Sequence, residues 1–298
     1  MLGQYLIAFR EALETALIAA IILSYLSRSR RAFLTSYIWV GIILATVASI
    51  TFGALTWFTY EILSESFKLL FEALTAFIAV FVLSSMIYWM AIRGRYIREE
   101  VEKHVEVAAS LSTRVSLISL SFVVAFREGF EMVLFITPFM LNDILPTLTG
   151  TLLGILTALF IAYGIFMFGM KINLQRFFYF TSILLILLAG GLAGYGVHEL
   201  LEYYEQIRFK LGWLAEPAYK LNISADSPFH HKGLIGSVFA VMLGYTVSPE
   251  WARIIVHLLY LAITLPFIMW TYKKANKEGR RKVQGKISAW RQSCCERY

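Results

Sequence analysis

Five stretches of this chain, residues 32–60, 73–92, 144–170, 177–198 and 254–272, contain no Asp, Glu, Lys or Arg. About 20 apolar residues in a helix cross the ~30 Å hydrocarbon core of a bilayer. These runs therefore predict five membrane spans, and segments 2–26 and 115–141 have the length to be two more. Backbone groups in lipid must pair within their own segment, so the expectation is a bundle of helices. The composition agrees, with 58% hydrophobic and 16% charged residues, where soluble domains carry about 25% charged. The predicted fold is an all-α integral membrane protein of seven transmembrane helices.

The formal charge of +7 could suggest a nucleic-acid partner, but its distribution argues for a membrane. Of the 27 Lys and Arg, 19 fall on alternate loops. Arg28, Arg30 and Arg31 follow the first span, Arg93 to Arg114 separate the third from the fourth, Lys171 and Arg176 flank the turn after the fifth, and nine lie beyond Tyr272. The opposite loops carry Glu61, Glu65, Asp143, Glu199, Glu202 and Glu205. The excess of basic residues on cytoplasmic loops places the N-terminus outside and the C-terminus inside. Cys294 and Cys295 are adjacent in the basic tail and poorly placed to bridge each other, so no disulfide framework is expected.

Within the predicted spans, two hexapeptides break the apolar pattern: FREALE at 9–14 and FREGFE at 126–131. They match at Phe, Arg, Glu and the final Glu. Each opens a group of three spans, and by the loop charges the first and fourth spans run in opposite directions. The halves form an inverted-topology repeat, three helices plus three, with the seventh outside it. The organisation expected is a first repeat over 1–92, a cytoplasmic link over 93–114, a second repeat over 115–198, an extracytoplasmic segment over 199–250, the seventh span over 251–272 and a basic tail over 273–298. In the link, Ile97, Val101, Val105 and Ala108 recur at helical spacing and predict a short amphipathic helix. The apolar piece 233–245 is short for a span and suits a re-entrant or interfacial helix, and the tail is expected to be poorly ordered.

Inserting Arg or Asp at the centre of a membrane helix costs about 2.5–3.5 kcal/mol per residue, and such residues are functional by default. These motifs do not balance either. Arg10 and Arg127 oppose Glu11, Glu14, Glu128 and Glu131, and Glu72 at the outer end of span three adds to the acidic excess. The site therefore wants a cation, or protons. Glu11 and Glu14 share one helix face, as do Glu128 and Glu131. Two such helices packed antiparallel bring four carboxylates together near the midplane, where inverted repeats place their sites. Oxygen-only ligation suits Mg, Ca, Mn and iron, and no Cys or Met cluster competes. The two arginines would hold the carboxylates in place. The bland alternative is buried ion pairs that only fix helix register.

R-E-x-x-E in spans one and four, seven spans and an outside N-terminus resemble the oxidase-dependent iron transporter family, which includes the fungal high-affinity iron permeases and the bacterial EfeU-like permeases. Glu72 ahead of MIYWM, GVHELLE at 196–202 and GYTVSPEWARIIVHLLYL at 244–261 are similar to the family as well. The resemblance implies an iron permease of the plasma membrane that moves iron inward. Glu11, Glu14, Glu128 and Glu131 would carry the ion and Arg10 and Arg127 would be required beside them. It implies no resident cofactor, and a separate oxidase or extracytoplasmic iron-binding protein as partner; an oligomer is compatible. The fungal members' G-A-S-E-type outer motif has only SADSP at 224–228 in its place.

Oxygen ligands discriminate poorly among hard cations, so a manganese transporter is the alternative reading. An intramembrane glutamate protease is more remote. The only Glu-Glu pair is Glu99–Glu100 in the link, and of the histidines only His257 clearly lies within a span. His198, Glu199, Glu202 and Glu205 fall at helical spacing where span six leaves the membrane, and form a candidate outer loading site or a solvated acidic helix end. Glu61 with Glu65, and His230 with His231, are weaker candidates for metal binding. His257 is expected to hydrogen-bond a neighbouring helix. Trp57, Trp89, Trp213 and Trp270 suit the interfacial belts.

Overall fold

The computed structural model describes residues 2–93, 101, 103–107, 114–142, 144–168, 174–209, 212–224, 227, 236, 239–240 and 244–295. Its long helices among these residues are α1 (Leu2–Arg28), α2 (Thr35–Ile62), α3 (Glu65–Arg93), α4 (Arg114–Asn142), α5 (Ile144–Phe168), α6 (Leu174–Gln206) and α7 (Trp251–Cys295). Five of them, α2, α3, α5, α6 and α7, contain a stretch long and apolar enough to cross a membrane. The protein is thus an all-helical integral membrane protein. The motif helices α1 and α4 match these in length, at 27 and 29 residues, but carry the charges of the two hexapeptides. Large apolar side chains such as Ile50, Phe58, Phe81, Phe160 and Ile263 are more than 60% exposed on the bundle surface, where lipid rather than water is their partner.

Pairing crosses between the halves. α2 packs along α4, α5 along α1, and α3 along α6, while α7 lies against α6 and α3. Small residues permit this. α2 buries only Ile38, Gly41, Ala45 and Ser49, a single stripe of one residue per turn. A Cβ on Gly41 would lie 2.6 Å from the Ile118 carbonyl oxygen and 2.9 Å from the Phe122 nitrogen. On α5, a Cβ on Gly154 would lie 2.5 Å from the Tyr5 carbonyl oxygen and 2.9 Å from the Phe9 nitrogen. Close backbone approach at small residues is how membrane helices associate without a hydrophobic driving force. α6 does the same for its own neighbours: Gly196 faces Ala76 and Phe77 of α3, and Gly190 and Gly194 face His257 and Arg253 of α7.

α1 and α4 are antiparallel. Ile22 and Leu26 share a buried cluster with Leu117, whereas Ile7 and Ala8 share another with Phe135 and Ile136. The hexapeptides fall between these clusters. Of the link helix, residues 103–107 are helical, and Val105 is fully buried against the first cluster with Val101 packed beside it; Ile97 and Ala108 lie outside the described residues. The apolar piece 233–245 also falls largely outside them, with helical residues at 236, 239 and 240.

Two helices run past the expected ends of their spans. α6 continues to Gln206 and carries the acidic residues after 198 on its last turns, at the helical spacing expected of them. The tail is not irregular, because α7 continues to Cys295. Beyond Pro266 it contains no proline, and its Lys, Arg, Gln and Ala content favours helix, which outweighs the repulsion among its basic residues.

Candidate metal-ion site

The two hexapeptides meet where α1 crosses α4. Arg10, Glu11, Glu14, Glu128 and Glu131 are all buried, with exposures of 0–8%. Arg10 acts as a fork: Nη1 donates to Glu11 Oε1 at 2.5 Å and Nη2 reaches Glu14 Oε1 at 2.6 Å. The same Nη1 also contacts Met86 Sδ of α3 at 3.1 Å. The planar guanidinium reaches the two carboxylates through separate nitrogens, a geometry that a single ammonium nitrogen does not have. Arg127 is less enclosed. Its Nε donates to Glu131 Oε1 at 3.0 Å, and its guanidinium lies 4.9 Å from the centre of the Trp89 ring. Trp89, expected in an interfacial belt, is therefore part of this cluster, where a cation–π contact offsets some of the cost of burial.

The arginines leave the carboxylates incompletely satisfied. Glu11, Glu128 and Glu131 each keep an Oε2 with no hydrogen-bond partner among the described residues. One oxygen from each of these three lies within 4.8 Å of the others. A hard cation bound at ~2.0–2.6 Å places opposite oxygen ligands roughly 4–5 Å apart. The spacing therefore suits a single ion held between α1 and α4. Glu14 is one turn away and tied to Arg10.

Glu72 is not brought to this cluster. Its Oε1 accepts from Tyr60 at 2.6 Å, and its Oε2 accepts from Tyr195. Along α3, Glu72 precedes Met86 by fourteen residues, about 21 Å at 1.5 Å per residue. Spacing on one helix could not show this, because the depth of the motifs was measured on other helices. Glu72 instead joins the second acidic group. Tyr195 stands one helical turn before Glu199, which is 7% exposed, so the phenol that serves Glu72 lies beside a second buried carboxylate. His198 Nδ1 contacts Glu250 Oε1 at 3.0 Å, and its Nε2 lies 3.3 Å from Glu202. Burial alone would raise the Glu250 carboxyl, but its contact with His198 outweighs this and holds it below the usual carboxylate range. Glu205 is exposed on the last turn of α6.

Three residues of this second group were not anticipated: Tyr60, Tyr195 and Glu250. Tyr195 stands at i, i+4 from Glu199, a spacing that would have found it. Glu250 is the last acid before the seventh span. Among the weaker candidates, Glu61 is exposed and Glu65 makes only a surface pair with Lys68 at 3.6 Å. His230 and His231 lie outside the described residues. His257 is buried, and its Nδ1 has no hydrogen-bond partner among the described residues.

A sequence profile of the iron permease FTR1 family matches residues 1–270. An uncharacterised protein of Archaeoglobus fulgidus is 41% identical over 277 residues, covering 93% of this chain and 98% of its own length. A protein of Yersinia pestis named ferrous iron permease EfeU is 30% identical over 273 residues, covering 88% of this chain and 90% of its own. A protein of the same name from Escherichia coli O6:H1 (strain CFT073) is 30% identical over 270 residues, covering 88% and 92%. No solved structure matches the chain.

Proposed function

The chain belongs to the iron permease FTR1 family, a family of transporters rather than enzymes, and from that premise we propose that it carries iron inward through the carboxylates between α1 and α4. The observation that carries the reading is the trio Glu11, Glu128 and Glu131, with converging and unsatisfied oxygens inside a membrane bundle. A register-fixing role would need only paired charges, and this cluster holds more acid than base. Relatives named ferrous iron permeases favour the ferrous ion as cargo.

In this proposal all seven long helices span the plasma membrane, with the N-terminus outside. The inverted repeat is supported by the packing. Exchanging α1, α2, α3 for α4, α5, α6 turns the α2–α4 pair into the α5–α1 pair and leaves the α3–α6 and α1–α4 pairs unchanged. Gly41 meets α4 at Ile118 and Phe122, and Gly154 meets α1 at Tyr5 and Phe9, one turn nearer the hexapeptide; each is followed four residues later by a fully buried alanine, Ala45 and Ala158. Glu72, Glu199, His198, Glu202 and Glu250 form an outer loading site, with Glu205 at its rim. They gather the cation, which then passes to the central trio. Arg10 and Arg127 keep the carboxylates in place and compensate their charge between transport events. Iron delivery falls to a separate oxidase or extracytoplasmic protein.

The test is radiolabelled iron uptake into proteoliposomes by wild type, Glu11→Gln and Glu128→Gln, with iron kept ferrous or ferric and with Mn²⁺ as competitor. Loss of uptake in both variants, with little Mn²⁺ competition, is the expected result. Unchanged uptake would return the motifs to a purely structural role, and equal transport of Mn²⁺ would make the protein a general hard-cation carrier.

A further inference from the structure

At the N-terminal end of α7 is a second polar site that uses none of the carboxylates above. A cavity of about 350 Å³ is lined by Arg253, His257, Tyr219 and Tyr245 together with apolar residues including Phe239 and Leu258. Ligand pockets typically enclose ~300–1,000 Å³, so this one fits a small molecule. The site is built by the fold. Segment 217–221 is stitched to 247–250, with Ala218 N donating to Pro249 O at 2.8 Å and Leu221 N to Val247 O at 2.9 Å. That pairing sets Tyr219 at the mouth. The His257 ring is wedged between two glycines: a Cβ on Gly190 would lie 3.1 Å from it and one on Gly244 3.0 Å. Gly244 has a φ of +64°, a conformation that costs a glycine little.

Two side chains in this cavity each have one buried nitrogen without a hydrogen-bond partner among the described residues. His257 is 6% exposed and its Nδ1 makes no hydrogen bond among the described residues. Arg253 Nε is buried and also unpartnered among the described residues; Glu250 and Glu199 act on its charge from a distance, with no ion pair to Glu250 among the described residues. A buried polar group without a partner is costly, and a charged one more so. The lining decides what would satisfy them. One guanidinium, one imidazole and two phenols are mainly hydrogen-bond donors, and the N-terminus of α7 adds its positive dipole end. A cation is repelled by Arg253. An anion with a single forked acceptor matches the guanidinium, and the apolar walls match a carbon skeleton. We infer that this cavity binds a small organic carboxylate, held by Arg253 and His257 and closed by Tyr219 and Tyr245. Arg253 follows Glu250 by less than one helical turn, so the anion would sit beside the outer acidic group without sharing its ligands. The inference does not depend on iron being the cargo.

The full chain in nanodiscs, freed of metal, would be dialysed to equilibrium against radiolabelled citrate, with acetate or inorganic phosphate as competitor. Saturable binding of one citrate per chain, displaced by excess acetate but not by equal phosphate, is expected. Arg253→Gln should weaken it about tenfold or more, Tyr245→Phe by a few-fold, and Glu128→Gln not at all. If Arg253→Gln does not fold, the Tyr245→Phe comparison decides. Absence of saturable binding, or binding indifferent to both cavity substitutions, would overturn the inference. So would loss of binding in Glu128→Gln. Displacement by phosphate as effective as by acetate would reject the carboxylate class.

Discussion

At the scale of single residues, the two motif arginines are chemically identical but differently placed. Arg10 is 3% exposed and serves two buried carboxylates, whereas the Arg127 side chain is 44% exposed and serves one. Removing one partner from a buried ion pair costs about 3–5 kcal/mol, because the other charge is left uncompensated. Arg10→Leu is therefore expected to destabilise the protein by that order, read as thermal unfolding in detergent, and Arg127→Leu by much less. Arg10→Lys should restore stability only in part, since one nitrogen must replace the two that separately reach Glu11 and Glu14. The His198–Glu250 contact gives a pH-dependent counterpart. The Glu250 carboxyl is held low in the folded state, so it contributes stability above its ordinary titration range. That contribution is lost as pH falls through the lowered folded value. Protection against amide exchange at Ala218 and Trp251, which donate to Pro249 and Glu216 across this seam, should fall on acidification once the slower intrinsic exchange at lower pH is divided out. In Glu250→Gln the acid-dependent part of that change should disappear.

At the scale of helices, association depends on where a side chain is missing. A Cβ at Gly41 or Gly154 would approach neighbouring backbone to within 2.6 Å or less, while one at Gly164 meets nothing within 4 Å. Gly41→Ala and Gly154→Ala should each cost ~1–3 kcal/mol as overpacked substitutions. Gly164→Ala should be neutral or slightly stabilising through helix propensity; unfolding midpoints in one detergent would separate them. These contacts also mark the limit of what the sequence reveals. The uncharged runs and the hexapeptides were legible, because hydropathy and buried charge are local properties. The meeting of Glu11 with Glu128 and Glu131 was legible too, because repeated motifs in opposed helices imply it. Which helix lies on which was not: the α2–α4 and α5–α1 pairings depend on glycines that look unremarkable in an apolar run. The displacement of Glu72 to the Tyr60–Tyr195 group was hidden for a similar reason. Its distance from the trio is set by how far α3 is shifted along α1 and α4, which no spacing within α3 records. The continuation of α7 to Cys295 was missed because a run of basic residues was given more weight than the helix propensity beneath it.

At the scale of the whole molecule, the proposed inward path requires that the two acidic groups lie at different depths and that α1 and α4 run in opposite directions through the bilayer. Both requirements meet in one experiment. With Cys294 and Cys295 replaced by serine, single cysteines would be placed at Ser29 after α1, Ser64 between α2 and α3, and Glu205 at the end of α6. A membrane-impermeant maleimide should label Ser64→Cys and Glu205→Cys from outside intact cells, and Ser29→Cys only after permeabilisation. Ser29 adjoins Arg28, Arg30 and Arg31, the first cluster of the basic asymmetry that fixes orientation. Labelling of all three from the same side would break the inverted repeat, because α2 would then not cross. Labelling with the sides reversed would keep the repeat but turn the Glu72–Glu199–Glu250 group towards the cytoplasm. That group would then gather the ion from the cytoplasm, and the same carboxylates that support uptake would describe an exporter. The direction of transport thus rests on the orientation of the bundle, whereas the affinity for a hard cation rests on the trio, and the labelling and uptake measurements separate the two.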